Sequence, residues 1–293
     1  MAKLNLGNHE IDCIVDLERP FLTAQAFFPD LTEEMLVHCC RVLPSGDITP
    51  DGRLQMRFQS FLVRTKRHTI LIDTCCGNGK DRAGRPDFHH LNTDYIGALT
   101  RAGVTPEQVD FVMCTHLHWD HVGWNTRLLN GKWVPTFPNA RYVISRKEYD
   151  YWDAAFRRGE KGIHLASFVD SVLPIMQESR AVLVDDDYEL DKGIWLEPCP
   201  GHSPGHVLIN LASNGRHGVV SGDVVHHRIQ LAFPELSTVA DADMGLARVN
   251  RQALIERLAD SGSVLLPAHF PPPVFGHIVR SGQGFAYQPA GIG

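Results

Sequence analysis

The chain has 293 residues and a formal charge of −6, with 43% hydrophobic and 21% charged residues; these ordinary values exclude a disordered chain, a collagen and a coiled coil. Its 34 acidic against 28 basic residues give no electrostatic footprint for nucleic acid or an anionic membrane, and no apolar run approaches the roughly 18 residues of a membrane span. The opening MAKLNLGNHEIDCIVDLE places Asn, His, Glu and Asp where an export signal would be apolar. Seven scattered cysteines without a C-x-x-C read as mostly buried thiols of a reduced, cytoplasmic chain.

In chain order, MRFQSFLVRT (56–65) and HTILIDTC (68–75) read as a strand pair. Thr93 is placed to cap a helix that stops at Gly103. Thr105 and Gln108 form a capping-box pattern with Pro106 at the first helical position. VDFVMCTH (109–116) is a continuous apolar run, as in a strand buried on both faces. Ser145 and Glu148 suggest a second capping box, opening a helix rich in aromatic residues. Residues 194–199, 206–212 and 217–223 read as strands separated by turn residues. A helix is predicted from Met244 to Ala259 with Asp243 as its N-cap and Gly262 near its stop. SVLLPAH (263–269) reads as a last buried strand, and GFAYQP closes the chain. The pattern predicts an α/β fold of two sheets with helices outside, in one domain spanning 1–293.

The chemistry concentrates at Thr115-His116-Leu117-His118-Trp119-Asp120-His121, directly after the buried strand. Imidazole and carboxylate are the ligand set of zinc and similar divalent ions. In an extended segment His116, His118 and Asp120 alternate in direction with Leu117, Trp119 and His121. Asp120 and His121 then address a different point from His116 and His118, which favours two metals, and Gly123 suits the tight turn required. Three more strand ends carry the right residue types: His202 or His206 in PGHSPGH (200–206), Asp223 in SGD (221–223) and His269 in PAH (267–269).

In this order, H-x-H-x-D-H (116–121), GHSPGH (201–206), GD (222–223) and AH (268–269) resemble the metallo-β-lactamase superfamily, with LIDT (71–74) matching its early strand. The resemblance implies an αββα sandwich of two facing mixed sheets. It assigns His116, His118 and His202 to a first metal and Asp120, His121 and His269 to a second. Asp223 bridges both together with a hydroxide, and His206 matches a position that is not usually a ligand. GDVVH (222–226), PAHF (267–270), GHI (276–278) and GFAYQP (284–289) bring the chain nearest to the branch of N-acyl homoserine lactonases and methyl parathion hydrolase. His226 stands where those lactonases commonly carry a tyrosine that positions substrate.

The reading is therefore a cytoplasmic, dinuclear metal hydrolase of a small ester or lactone, with the bridging hydroxide as nucleophile. Zinc is the expected metal; iron, manganese and cobalt suit the same ligands. Asp120 is placed to accept the proton released on attack, and His226 to hydrogen-bond substrate or leaving group. Phe27, Phe28, Trp119, Trp124 and Phe270 are candidates for an apolar pocket wall. The alternatives are a phosphotriester hydrolase of the same fold, a metal-dependent dehalogenase or dioxygenase, and a non-catalytic metal-binding protein. The expected partner is a small molecule, with neither nucleic acid nor membrane, and the family resemblance makes a homodimer plausible.

Overall fold

Short apolar runs set the framework. Thr69–Ile72, Phe111–Met113 and Val264–Leu266 are almost entirely buried strands of three or four residues, as in sheets covered on both faces. The structure, a computed structural model, describes residues 2–185, 187–282 and 284–291. The chain divides into two compact units, one of residues up to Leu17 with Phe58–Tyr188, the other of Glu18–Arg57 with Glu189 onward.

Among the described residues the first sheet is built from β1 (Lys3–Leu6), β2 (His9–Thr23), β3 (Arg53–Arg64), β4 (Thr69–Ile72) and β5 (Phe111–Met113), followed in the chain by a separate ribbon of β6 (Thr126–Leu129) and β7 (Lys132–Pro135), then β8 (Arg141–Ser145) and β9 (Ala181–Val184). Its order is β1-β2-β3-β4-β5-β8-β9. β3 and β4 are antiparallel, whereas β4, β5, β8 and β9 run parallel. The far ends of β2 and β3 belong to the second unit. A core of Leu62, Leu71, Val112, Tyr142, Ile144 and Phe168, among others, fills the first unit.

The second sheet runs in chain order: β10 (Glu189–Asp191), β11 (Ile194–Pro198), β12 (Val207–Ser213), β13 (Arg216–Val220), β14 (Val264–Leu266), β15 (Gly276–Ser281) and β16 (Gly284–Pro289). Its pairs are antiparallel except β13 and β14. A parallel pair needs a crossover, and helix Met244–Leu258 lies in that connection. Asp243 caps it by accepting the Leu246 N–H at 2.9 Å, as the sequence predicts. Leu254, Ile255 and Leu258 on its buried face join Val219, Leu265 and Ile278 in the second unit's core. None of the described helices is long and apolar enough to cross a membrane. The seven cysteines are thiols rather than disulfides, and all but Cys40 are buried.

Several local expectations change. Helix Tyr95–Arg101 begins after Asp94, not Thr93, and the Thr93 hydroxyl instead donates to Asp16. Thr105 and Gln108 do form a capping box, but around the single 3₁₀ turn Pro106–Gln108. Ser145 precedes helix Arg146–Arg157 without a side-chain cap bond. Glu148 is fully buried and accepts from the Leu117 backbone N–H (3.1 Å) and Trp152 Nε1 (2.8 Å). The strands before Ala24, helix Glu33–Val42 and the helical run Ile163–Gln177, with a π-turn at Phe168–Val172, carry no expectation from the sequence.

Gly123 serves a close approach between loops, not a left-handed turn. Its N–H donates to the Cys75 carbonyl at 2.7 Å, and a Cβ there would lie 1.9 Å from the Cys76 carbonyl oxygen. Gly123→Ala should destabilise the fold by about 1–3 kcal/mol in urea unfolding, the typical range for overpacking. Gly84→Ala, with nothing within 4 Å of the added carbon, serves as the neutral control. Equal midpoints for the two variants would show that the loops separate freely.

Candidate metal centre

In the first unit, β5 ends at Met113, and the chain turns at 118–121. The His121 N–H donates to the His118 carbonyl at 3.0 Å. This turn folds the extended segment back, so the His116 ring lies 4.5 Å from that of His118 and 4.1 Å from that of His121, between centroids. An Asp120 carboxylate oxygen lies 4.0 Å from His121 Nε2. Four donors of the H-x-H-x-D-H motif thus share one end of the strand.

Asp73, just beyond β4, organises this end. Its Oδ1 accepts the Thr115 N–H at 2.8 Å, and its Oδ2 accepts both the Thr115 hydroxyl (2.8 Å) and His121 Nδ1 (2.9 Å). With its proton directed to Asp73, the Thr115 hydroxyl accepts from His116 Nδ1 at 3.0 Å. Both imidazoles are therefore protonated at Nδ1 and present a bare Nε2. Glu148 fixes the intervening Leu117 backbone.

In the second unit, His202 follows β11 in a loop that lies against the start of helix Met244–Leu258. A Cβ on Gly201, whose φ is +131°, would sit 2.4 Å from the Ala247 nitrogen, so only glycine fits this approach. His202 Nδ1 bonds Asp241 Oδ1 at 3.0 Å, and its Nε2 lies 3.3 Å from Asp223 Oδ2. His269 Nδ1 donates to the Arg57 carbonyl at 2.8 Å, and its Nε2 lies 3.0 Å from Asp223 Oδ1. His226 Nε2 approaches Asp223 Oδ2 at 3.1 Å. Burial pushes the His226 pKa down, against the opposing pull of Asp223. The His206 Nε2 accepts the Asp223 backbone N–H at 3.1 Å, so that nitrogen is already engaged.

The donor set passes a direct test for a divalent cation. A carbonyl only accepts, so His269 carries its proton on Nδ1, and in the neutral ring the bare Nε2 faces a carboxylate oxygen. The same holds for His202 against Asp223. Acceptor opposed to acceptor calls for a positive charge between them. Three imidazoliums around one buried carboxylate would leave a large uncompensated charge; a divalent cation satisfies the nitrogens and the oxygen together.

Of the candidate pocket residues, Phe27 packs edge-on to His226 at 5.3 Å, and Phe28 is edge-on to Phe27 at 5.0 Å. Trp119 is buried against Phe88 and Phe58. Trp124 stacks on Tyr95 and donates to Asp16 at 3.1 Å. Phe270 is fully buried in the second unit's core, against Tyr287 and the Arg228 guanidinium. Residues not named as site residues from the sequence hold the candidate donors within each unit: Asp73 and Glu148 in the first, Asp241 and the Arg57 carbonyl in the second.

The fold and the motifs have matching relatives. An N-acyl homoserine lactonase of Bacillus cereus is 27% identical over 193 residues, which span 58% of this chain and 65% of that protein. The structure of AidC, described as a dizinc quorum-quenching lactonase, superposes with a TM-score of 0.82 at 22% identity, covering 99% of this chain and 97% of AidC. The hydrolase AbOPH of the β-lactamase superfamily gives 0.81 at 24% identity, with coverage of 99% and 97%. Two mixed sheets with helices are consistent with the sandwich fold of these proteins. The family profile of the metallo-beta-lactamase superfamily matches residues 59–269, and the chain belongs to that superfamily.

Proposed function

We propose that the protein is a dinuclear metal-dependent hydrolase of a small ester or lactone that carries an apolar tail. The carrying observation is Asp223, whose two oxygens face the Nε2 atoms of different histidines, His269 on Oδ1 and His202 on Oδ2. A carboxylate shared by two cations requires that division. In this reading His116, His118 and His202 would hold one cation, Asp120, His121 and His269 the other, and Asp223 would serve both. Zinc suits the donors, and one structural neighbour is described as dizinc. Bound there, two divalent cations would supply a water acidified toward neutrality as nucleophile and a Lewis acid for the acyl oxygen.

The chain's own residues do the rest. Asp120 accepts the proton released on attack. His226, held by Asp223 and by the edge of Phe27, directs its ring at the substrate or leaving oxygen. Its backbone is fixed by donation to Gln230 at 2.7 Å. In the first unit a cavity of about 730 Å³ is lined by Trp133, Phe156, Ile163, Leu165, Ala166 and Val169. Helix Ile163–Ser167, which contributes three of these, also carries His164, whose ring lies 3.9 Å from His118. A largely apolar cavity whose lining helix packs His164 against the donor His118 supports an acyl or aryl tail. The curated lactonase relatives point to the same chemistry.

The test is a panel of lactones, aryl esters, phosphotriesters and β-lactams, run with and without chelator. Chelator-sensitive turnover of lactones or esters is expected; preferential turnover of phosphotriesters would reassign the substrate. After reconstitution, elemental analysis should approach about two metal equivalents per chain, and a firm ceiling of one would end the dinuclear reading. Asp223→Asn keeps the shape but removes the charge that offsets cation repulsion. It should bind one cation less tightly and lose well more kcat than the about 10–100-fold typical of outer-shell changes. His206→Ala should stay within that range. Ala166→Trp should raise KM for long-chain substrates about tenfold or more, because each excluded methylene forfeits about 0.8 kcal/mol, while leaving the metal content and short-chain substrates unaffected. Equal effects on both chain lengths would remove the cavity from the substrate site.

A further inference from the structure

We infer that Asp241 is a positioning residue that sets the tautomer and donor strength of His202, and that Arg251 holds it in place. The inference rests on the metal-centre reading. The Asp241 side chain is fully shielded from solvent. Its Oδ1 takes His202 Nδ1 at 3.0 Å, and its Oδ2 takes the Thr238 N–H at 2.8 Å. The Arg251 guanidinium lies 3.9 Å from Oδ2. Donor atoms of His202, His226 and Asp241 all fall within 4.8 Å of one another.

The support is continuous. Arg251, fully buried on helix Met244–Leu258, donates to the Pro234 carbonyl (2.9 Å), the Ser237 hydroxyl (3.3 Å) and the Val224 carbonyl (3.4 Å). One side chain therefore ties the segment leading to Asp241 to the residue that follows Asp223. The same segment grips the His202 loop through its backbone: Ala242 N–H donates to the His202 carbonyl (3.1 Å) and Asp243 N–H to the Gly201 carbonyl (2.8 Å). These two bonds do not involve the Asp241 carboxylate. What the carboxylate adds is chemical. It holds the proton on Nδ1, keeps Nε2 bare toward Asp223, and strengthens that nitrogen as a donor.

Asp241→Asn separates these contributions. With its amide oxygen toward Nδ1, its NH₂ meets the Thr238 N–H, donor against donor. Turned over, the NH₂ faces Nδ1 and drives the ring proton to Nε2, where the cation would bind. Either arrangement weakens the site while the backbone bonds remain. The experiment compares the full-length parent, Asp241→Asn and His202→Ala in zinc affinity, by competition with a chromophoric chelator, and in melting temperature with and without zinc.

His202→Ala should lose the metal. Asp241→Asn should lose about 10–100-fold in zinc affinity, with the loss of melting temperature concentrated in the zinc-loaded form. Parental zinc affinity in Asp241→Asn, or an equal drop in the loaded and metal-free forms, would overturn the positioning role alone. Unchanged zinc binding in His202→Ala would overturn the metal-centre reading itself. Nitrogen-15 NMR of the histidines in the metal-free parent provides a check that needs no variant. His202 should be protonated at Nδ1, and a His202 carrying its proton only on Nε2 would refute the inference.

Discussion

The constraint on which the second unit's site depends is the orientation of three imidazoles around one buried carboxylate. Asp223 receives the Nε2 edges of His202, His226 and His269 at 3.0–3.3 Å. Nothing in a strand end dictates that arrangement. It follows from what holds the far side of each ring: Asp241 for His202, the Arg57 carbonyl for His269, and the Phe27 edge for His226. Two of these anchors accept protons only, so they determine which nitrogen is left bare. Orientation and protonation are thus decided together, before any cation arrives.

The first unit solves the same problem with different parts. There Asp73 receives three donors and imposes a proton order on Thr115, His116 and His121. A hydroxyl relays the effect to a histidine that Asp73 does not touch. Glu148 secures the backbone between His116 and His118, while its other bond, from Trp152, ties it to its own helix. The positions that hold donors are therefore as specific as the donors themselves, and they come from different elements: a strand end, a helix and a loop.

This division explains what the sequence makes legible. The donor motifs stand out because geometry packs them into short stretches, and the strands that precede them stand out because burial on both faces produces unbroken apolar runs such as ILI, FVM and VLL. The anchors do not stand out. Asp241 lies 39 positions from the His202 it holds, and Arg57 lies 212 from His269 and acts through its backbone, which no residue type encodes. Glu148 fits a capping-box pattern by spacing, yet burial commits its carboxylate to Leu117 and Trp152 instead. The long β2 strand escapes notice because half-exposed positions interrupt its apolar pattern over 15 residues. Gly123 is visible, but for the wrong reason: its role is the missing Cβ beside Cys76, not its conformational freedom.

The helix Ile163–Ser167 joins the remaining threads. It presents Ile163, Leu165 and Ala166 to a largely apolar cavity and His164 to the ring of His118. The His118 ring is also packed between two aromatic side chains, His164 at 3.9 Å and Trp152 at 5.7 Å between centroids. Trp152 is in turn tied to Glu148, and Glu148 to the Leu117 backbone beside His118. Within this unit, then, residues that line the cavity and the residue that packs against His118 alternate along the same helix. The cavity wall and the packing of His118 thus draw on one five-residue helix. Under the proposed function, a substrate tail in the cavity and a cation held by His118 would therefore meet at the same short helix.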